Sequence, residues 1–125
     1  MTAIRSYAPY EVERLVCVDR SPAGVLVRLR GEHDLATRAA VSATIGVRVA
    51  LGRDDLVVDL SGVTFMDAST VGVIVEARAA LRRRGRDVML RDASSCARRL
   101  MELCGLTALL ERPRELAAGD GGKVP

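Results

Sequence analysis

The sequence LVVDLSGVTFMDASTVGVIV, residues 56–75, joins a buried strand to the start of a helix through a short polar turn. Its opening, LVVDL, is apolar except for Asp59, which is the pattern of a strand covered on both faces, as in a parallel sheet. Ser61 and Gly62 are expected to end this strand, because serine and glycine are typical of turns. The rest of the chain can be placed around the turn that follows.

The polar turn, residues 67–70, carries three oxygen-bearing side chains in four positions immediately before an apolar segment. Asp67 or Ser69 is therefore placed to accept a hydrogen bond from a free N–H group of the helix, as an N-cap does. Because a helix N-terminus also favours an anion, a hydroxyl in this turn is well placed to carry a phosphate. From these residues alone capping is the simpler interpretation, and signalling is the alternative.

The composition indicates one globular domain and argues against direct nucleic-acid binding. The chain has 125 residues, of which 49% are hydrophobic, enough to build a proper core. Aromatic residues make up only 2%, so nucleic-acid bases have almost no side chains to stack on. The net charge is +3, and the tightest basic cluster is expected to be a solvated helix end. That cluster consists of Arg82, Arg83, Arg84 and Arg86.

The cysteines and the N-terminus favour a cytoplasmic protein. The chain has an odd number of cysteines, Cys17, Cys96 and Cys104, and they lack C-x-x-C spacing. This pattern favours free buried thiols over a disulfide framework or a zinc site. A redox role of the thiols is left open. The first 15 residues lack the apolar core of a signal peptide, and no segment is long enough to span a bilayer. The expected localisation is therefore cytoplasmic, with no membrane contact.

The N-terminal half predicts an arm, a hairpin and a helix. Residues 1–10 are polar and mixed and are expected to form a loose arm. Residues 12–19 and 24–30 read as strands joined by the turn signal RSPAG, which predicts an antiparallel hairpin. Asp34 or Thr37 is then expected to cap a first helix whose apolar positions repeat every four residues. Those positions are Val41, Ile45 and Val49.

The second helix, which begins in the polar turn, has apolar residues on two sides. At about 100° per residue, one side should meet the sheet. This side comprises Val73, Ile74, Ala77 and Leu81. Val71 and Val75 are expected on a different, outer side, beside Arg78 and Arg82. Two apolar residues next to a candidate switch suggest a docking surface for a partner.

After the second helix, the pattern predicts one more strand and one more helix. Residues 87–91 read as the fourth strand. Ser94 or Ser95 is expected to cap a third helix that ends at Gly105. The inward stripe of this helix is expected to be Ala97, Leu100, Met101 and Cys104. Residues 109–110 add a further short turn or strand.

These elements predict an α/β fold with a four- to five-stranded, mostly parallel sheet, an N-terminal antiparallel hairpin, and helices mainly on one face. The right-handed crossover rule places the polar turn at the carboxyl edge of this sheet. Open α/β sheets bind their partners at that edge, so it is the expected binding site.

The motifs of the common enzyme classes are missing. No glycine-rich phosphate loop is present. His33 is the single histidine, so a serine nucleophile has one possible imidazole partner. A catalytic arrangement of Ser69, His33 and an aspartate would lack the G-x-S-x-G turn. A histidine in a loop before a helix is more often a surface or capping residue. Asp34, Asp59 and Asp67 are the carboxylates that would have to gather to bind Mg²⁺. An enzyme is the weaker hypothesis, and no cofactor or metal is predicted.

Five segments carry a family resemblance: GEHDLAT (31–37), VDLSGVTFMD (58–67), STVGV (69–73), RRL (98–100) and CGL (104–106). In this order and spacing they resemble STAS domains, the sulfate transporter and anti-sigma factor antagonist family. The likeness covers about residues 11–110. The STAS-like domain is therefore expected at residues 11–112, followed by a flexible tail at residues 113–125.

The resemblance implies a small bacterial regulator that binds an anti-sigma factor, usually a serine kinase, and so frees a sigma factor. In the family, phosphorylation of a serine at the start of the second helix blocks binding, and a phosphatase restores it. A phosphate adds about −1.5 to −2 charge at pH 7 and would disrupt an apolar interface beside Asp67. The residues expected to contact the partner are Asp34, Asp67, Ala68, Ser69, Thr70, Val71, Val75 and Arg78.

The turn departs from the common family pattern Asp-Ser-Ser/Thr-Gly-Leu-Gly. Here it reads DASTVG (67–72), so Ala68 occupies the position of the usual phosphoacceptor and Ser69 matches the hydroxyl residue after it. In one hypothesis Ser69, or less favourably Thr70, is phosphorylated by a kinase adapted to this turn. In the other, the protein is an antagonist or scaffold without the switch.

A hypothesis from another class is a signalling module that binds a nucleotide or lipid in the cleft between the loops of Asp34 and Asp67. Calorimetry against nucleotides and pull-down against anti-sigma factors would separate it from the antagonist hypothesis. The sequence names neither the sigma factor nor the oligomeric state.

Overall fold

The structure, a computed structural model, describes residue 11, residues 14–22 and residues 24–110. The arm predicted at residues 1–10 and the tail predicted at residues 113–125 lie outside these ranges. The elements within them are β1 (Val16–Ser21), β2 (Gly24–His33), α1 (Leu35–Leu51), β3 (Leu56–Met66), α2 (Ala68–Arg82), β4 (Val88–Arg91), α3 (Ser95–Leu103) and a 3₁₀ helix (Thr107–Leu109). None of the helices in these ranges has the length and apolar character needed to cross a bilayer.

The four strands form one sheet in the order β1-β2-β3-β4. β1 and β2 are antiparallel, whereas β2, β3 and β4 run parallel. Each parallel connection passes through a helix, because parallel neighbours cannot be joined by a tight turn. The predicted hairpin and mostly parallel sheet are therefore confirmed, and Leu110 adds a single bridge to Leu90 beside the sheet.

β3 is longer than the sequence pattern indicates. Ser61 and Gly62 do not end the strand, which continues to Met66. The register with β2 shifts where Arg30 pairs with Gly62, so the second half of β3 stays hydrogen-bonded. A side chain at position 62 would come within 3.1 Å of Arg30 Cγ, so glycine permits this close approach.

β1 begins at Val16 rather than at residue 12, and Arg14 and Leu15 are helical. Gly31 explains the difference, because its φ of +78° bends β2 and a side chain there would meet Leu15 Cδ2 at 2.9 Å. Leu15 therefore packs over the bend of β2 instead of extending the hairpin.

The helices pack on one face of the sheet, as predicted. On this face, alternate strand residues such as Leu29, Val58 and Leu60 meet the inward side chains of α1, α2 and α3. Those helix residues are Val41, Ile45, Val49, Val71, Val73, Ile74, Ala77, Leu81, Ala97 and Met101. Burial of these aliphatic groups, at about 25 cal/mol per Å² of apolar surface, is the main force holding the helices to the sheet.

The opposite face of the sheet carries a buried carboxylate. Asp59 accepts hydrogen bonds from Ser61 N–H (2.8 Å), Ser61 Oγ (2.7 Å) and Arg91 Nη2 (3.1 Å). Desolvation alone would raise the pKa of Asp59, but the bonds from Ser61 and Arg91 outweigh it and hold the pKa below 3.8. Asp59 therefore ties β3 to β4.

α3 begins at the Ser94 cap, as predicted, and buries Ala97 and Met101 completely. The helix ends at Leu103 with Cys104 as its C-cap, and Gly105 follows with a φ of +74°, while the Leu106 N–H donates to Met101 O at 2.9 Å. This is the expected glycine stop with a backbone bond that satisfies a terminal carbonyl.

The three cysteines are free, but the prediction that they are buried is wrong. Cys96 and Cys104 are exposed, and Cys17 is partly exposed. Cys104 was expected on the inward stripe of α3, yet it lies at the C-cap, where the helix ends and its side chain leaves the core.

Two arginines of the basic cluster close the C-terminal end of α1. Arg84 Nη1 donates to the carbonyls of Val49 (2.8 Å) and Ala50 (3.3 Å). Arg86 donates through Nη1 to Val49 O (3.2 Å) and through Nε to Asp54 O (2.7 Å). The last carbonyls of a helix lack partners within it and carry the negative end of its dipole. Arg82, Arg83 and Arg84 are exposed, as expected of a solvated helix end, whereas Arg86 is partly buried. Arg84 and Arg86 in addition hold the end of α1.

Replacing Arg84 with alanine should lower the free energy of unfolding by about 1 kcal/mol, because the Val49 and Ala50 carbonyls at the end of α1 lose their hydrogen bonds from Arg84 Nη1. Arg83 is a matched control, since it is an exposed arginine of the same turn, and Arg83→Ala should change the free energy by less than about 0.5 kcal/mol. Urea unfolding followed by circular dichroism measures both variants. Equal losses would show that the Arg84 contacts add nothing specific.

Candidate partner-binding site

The carboxyl ends of β2 and β3 lie side by side, because their last residues pair in the sheet. The next residue in each case, Asp34 or Asp67, is the N-cap of the following helix. Asp34 Oδ1 accepts from the Ala36 N–H at 2.8 Å, and Asp67 Oδ1 accepts from the Ser69 N–H at 3.0 Å. Capping by these two aspartates is confirmed, and α1 and α2 start at one edge of the sheet.

His33 connects the two helix starts. Its carbonyl accepts from the Asp67 N–H at 3.2 Å. Its ring Nε2 lies 2.9 Å from Arg30 O, and its Nδ1 lies 3.0 Å from Thr37 Oγ1. The side chain is fully buried. The expectation of a surface or capping histidine in a loop is therefore wrong, because β2 continues through this position.

The buried His33 ring is neutral at pH 7. Desolvation lowers its pKa below 6.5, against smaller opposing effects of backbone contacts with Arg30 and Leu15 and of the Asp34 charge. Since a carbonyl can only accept, Nε2 carries the proton and donates to Arg30 O. Nδ1 then accepts from the Thr37 hydroxyl at 3.0 Å, in preference to the longer 3.3 Å contact of that hydroxyl with Asp34 O. These bonds fix β2 to the first turn of α1.

The structure assembles neither of the catalytic or metal arrangements considered from the sequence. Both ring nitrogens of His33 are engaged, and Ser69 Oγ donates instead to Asp67 Oδ1 at 2.6 Å. Asp59 lies on the opposite face of the sheet, away from Asp34 and Asp67. Within the described ranges, no three His, Cys, Asp or Glu side chains are placed to hold a metal ion.

The first turn of α2 is only partly accessible. Ala68 is exposed and Ser69 is partly exposed, whereas Thr70 is fully buried and its Oγ1 has no hydrogen-bond partner. Val71 is 6% exposed and belongs to the core. The prediction that Val71 lies on an outer face is wrong, because the inward face of α2 is wider than one stripe and includes this position.

Arg78 is drawn away from this edge. Its Nε lies 3.5 Å from Asp87 Oδ1, and Asp87 directly precedes β4 at the amino end of the sheet. Arg82 lies 3.8 Å from the same carboxylate. The structure therefore brings Asp34, Asp67, Ala68 and Ser69 to the carboxyl edge and leaves Arg78 outside the group.

Sequence reasoning missed two exposed apolar side chains beside the turn. Leu35, the first residue of α1, is 56% exposed, and Phe65, near the end of β3, is 48% exposed. The sequence feature that could have indicated these two side chains is a large apolar residue within two positions of each capping aspartate. On α2, Ala68, Gly72 and Val75 are exposed at the spacing of one helix face. We call Leu35, Phe65, Ala68, Gly72 and Val75 the carboxyl-edge patch.

A family model described as "Mlab, STAS domain" matches residues 16–111. The chain belongs to the STAS family. The resemblance carried by the five sequence segments is thereby confirmed. Among curated relatives of this STAS domain, the anti-sigma-F factor antagonist RsfA of Mycobacterium tuberculosis is 30% identical over 97 residues, which cover 70% of each chain.

Solved structures confirm the α/β fold predicted for this STAS domain. The unphosphorylated anti-sigma factor antagonist SpoIIAA matches with a TM-score of 0.70 at 21% identity, over 88% of this chain and 98% of that chain. An anti-sigma factor antagonist from Mycobacterium paratuberculosis matches with a TM-score of 0.68 at 28% identity, over 82% of this chain and 88% of that chain.

Acidification should destabilise this STAS domain through His33. Because the folded pKa lies below the ordinary 6.5, the stabilising contribution of the neutral ring is complete above about pH 6.5 and is lost as the pH falls toward the folded pKa. Replacement by glutamine should flatten the dependence of the unfolding free energy on pH by up to about 1.4 kcal/mol per pH unit.

Urea unfolding of the wild type and His33→Gln between about pH 7.5 and pH 5.5 measures this difference. The assignment is direct because the sequence contains a single histidine. The same pH dependence in both proteins would exclude His33 as its source.

Proposed function

We propose that this STAS domain is an anti-sigma factor antagonist, which binds an anti-sigma factor of the serine kinase type through the start of α2 and so releases a sigma factor. The observation that carries the proposal is the carboxyl-edge patch, an exposed apolar surface set on two capped helix starts. The 30% identity to RsfA, an anti-sigma-F factor antagonist, supports the same function.

The carboxyl-edge patch is suited to protein binding because it is apolar, exposed and held rigidly. Leu35, Phe65 and Val75 are 56%, 48% and 42% exposed. Their burial against a partner would remove apolar surface from water, and a large aromatic side chain often contributes most at such an interface. Because both helix starts are already fixed by caps, little conformational entropy is lost on binding. The exposed small residues of α2 let the partner approach its backbone closely.

Ser69 is the phosphoacceptor in this proposal. Its hydroxyl is partly exposed and lies 2.6 Å from Asp67 Oδ1, whereas the Thr70 hydroxyl is buried out of reach of a kinase. A phosphate would replace a hydroxyl donor with about −1.5 to −2 charge beside the Asp67 carboxylate. Repulsion would turn the phosphate outward, where a bound partner would have to desolvate it. Phosphorylation therefore weakens binding, and a phosphatase restores it.

The alternative hypothesis, a nucleotide or lipid headgroup between Asp34 and Asp67, has weaker physical support. Both groups at that position are carboxylates, which would repel a ligand phosphate. Calorimetry with nucleotides distinguishes the hypotheses, since tight binding without any complex with an anti-sigma factor would replace the proposed function with a ligand-binding one.

Val75→Asp should weaken capture of the cognate anti-sigma factor by at least about tenfold, because a charge would be desolvated in an apolar interface. Val47→Asp is the matched control, since Val47 on α1 is 46% exposed, close to the 42% of Val75, and lies three turns from the helix start. Aspartate at Val71 is unsuitable because that side chain is buried and the change would report on folding.

The measurement uses a purified complex of the sigma factor with its anti-sigma factor. Size-exclusion chromatography detects the released sigma factor. Wild type and Val47→Asp should release it, and Val75→Asp should not. Urea unfolding checks that each variant is folded. Equal release by both variants would place the interface elsewhere on the domain.

Incubation with the cognate kinase and ATP should add one phosphate at Ser69, identified by phosphopeptide mass spectrometry. Ser69→Ala should prevent this, whereas Ser95→Ala, which removes an exposed hydroxyl from the first turn of α3, should not. The phosphorylated wild type should then release less sigma factor in the chromatographic assay. If Ser69 stays unmodified while the antagonist still binds, the partner function stands and the switch is ruled out.

A further inference from the structure

A cavity of about 330 Å³ lies at the end of the β1–β2 hairpin, beside the last turns of α1. It is lined by Val18, Asp19, Arg20, Val25 and Arg48. We call it the hairpin recess. Val16 is part of the core beneath the helices, so alternation along β1 places Val18 and Arg20 on the same, helix-covered face. Val25 pairs directly with Arg20 and shares that face.

Two cations meet in the hairpin recess without a carboxylate that neutralises them. The Nε of Arg48 is buried and has no hydrogen-bond partner. Among the described residues, the side chains of Arg20 and Arg48 enter no ion pair. Asp19 also borders the recess, but it faces the other side of β1 and its carboxylate lies 3.3 Å from Arg28 Nη1. The recess is therefore bordered by two arginine side chains that have no carboxylate partner among the described residues.

We propose that the hairpin recess binds a small anion that presents a phosphate or carboxylate group. Guanidinium groups match such anions through paired hydrogen bonds. Val18 and Val25 form an apolar wall, so the ligand can carry a short apolar part next to its charged group.

The nearby C-terminus of α1 does not oppose an anion in the way that a free helix end would. A helix C-terminus carries partial negative charge on its terminal carbonyls. Here Arg84 and Arg86 already donate to the carbonyls of Val49 and Ala50. The positive charge of Arg48 is therefore left available to a ligand. This site lies at the amino end of the sheet, away from the carboxyl-edge patch, and does not depend on the proposed function.

Inorganic phosphate, titrated at constant ionic strength made up with sodium chloride, is the test. Phosphate should raise the Tm of the full-length wild type, because a ligand that binds only the folded state stabilises it. It should also shift the methyl signals of Val18 and Val25 in NMR spectra. Sodium acetate under the same conditions distinguishes a general oxyanion site from one that requires phosphate.

Arg48→Gln should weaken the apparent affinity for phosphate by about tenfold or more, since a charge-assisted hydrogen bond is lost. Arg20→Gln, at an exposed position, should also weaken the affinity for phosphate. If Arg48→Gln does not fold, the result for Arg20→Gln tests the proposal. Arg38→Gln is the matched control, an exposed arginine of α1 outside the recess, and should bind like the wild type. No effect of phosphate on the wild type, or the same effect in all four proteins, would overturn the proposal.

Discussion

The carboxyl edge of this domain depends on the hydrogen bond from the Asp67 N–H to the His33 carbonyl, 3.2 Å long. It joins the last residue of β2 to the cap of α2. The His33 ring extends the connection to α1 through Thr37, and Asp34 caps that helix one residue later. Two helix starts are thus held by one buried residue. Because the His33 ring and the Thr37 hydroxyl are buried, α1 cannot shift away from β2 without leaving a buried polar group unpaired.

This constraint explains why a surface made of small and apolar residues can remain exposed beside a polar turn. The residues of the carboxyl-edge patch do not belong to the core cluster. The caps beneath it carry the structural role. A partner that covers the patch meets a preorganised surface, and the free energy of contact is not reduced by ordering the helix starts.

The overall fold could be predicted from the sequence because its signals are local. The apolar run before the turn, the aspartates at the helix starts and the glycine after α3 each act on their own neighbours. The failures are long-range. Gly62 has the form of a strand end, but a register shift against Arg30 continues the strand. His33 precedes a helix and resembled a surface residue, but the paired length of β2 buries it. Arg84 is exposed, as expected, but the local pattern gave no sign of its acceptors, which lie 34 and 35 residues away in α1.

The position of the polar turn at the carboxyl edge was predictable, but the exposure of its side chains was predictable only in part. A helical projection of α2 predicts Val71 on the same side as Val75. In the structure the first turn of α2 packs against the core, so Thr70 and Val71 are both buried. The exposed residue in the first turn of α2 is Ala68, whose side chain has no hydroxyl to phosphorylate. The hydroxyl next in sequence, on Ser69, points at Asp67, which also accepts the Ser69 N–H. Removing the hydroxyl proton would therefore leave the backbone cap in place. A charge added at Ser69 would therefore change the electrostatic potential at the carboxyl edge without requiring α2 to unwind. A partner protein could then respond to the charge while the shape of the surface stays the same.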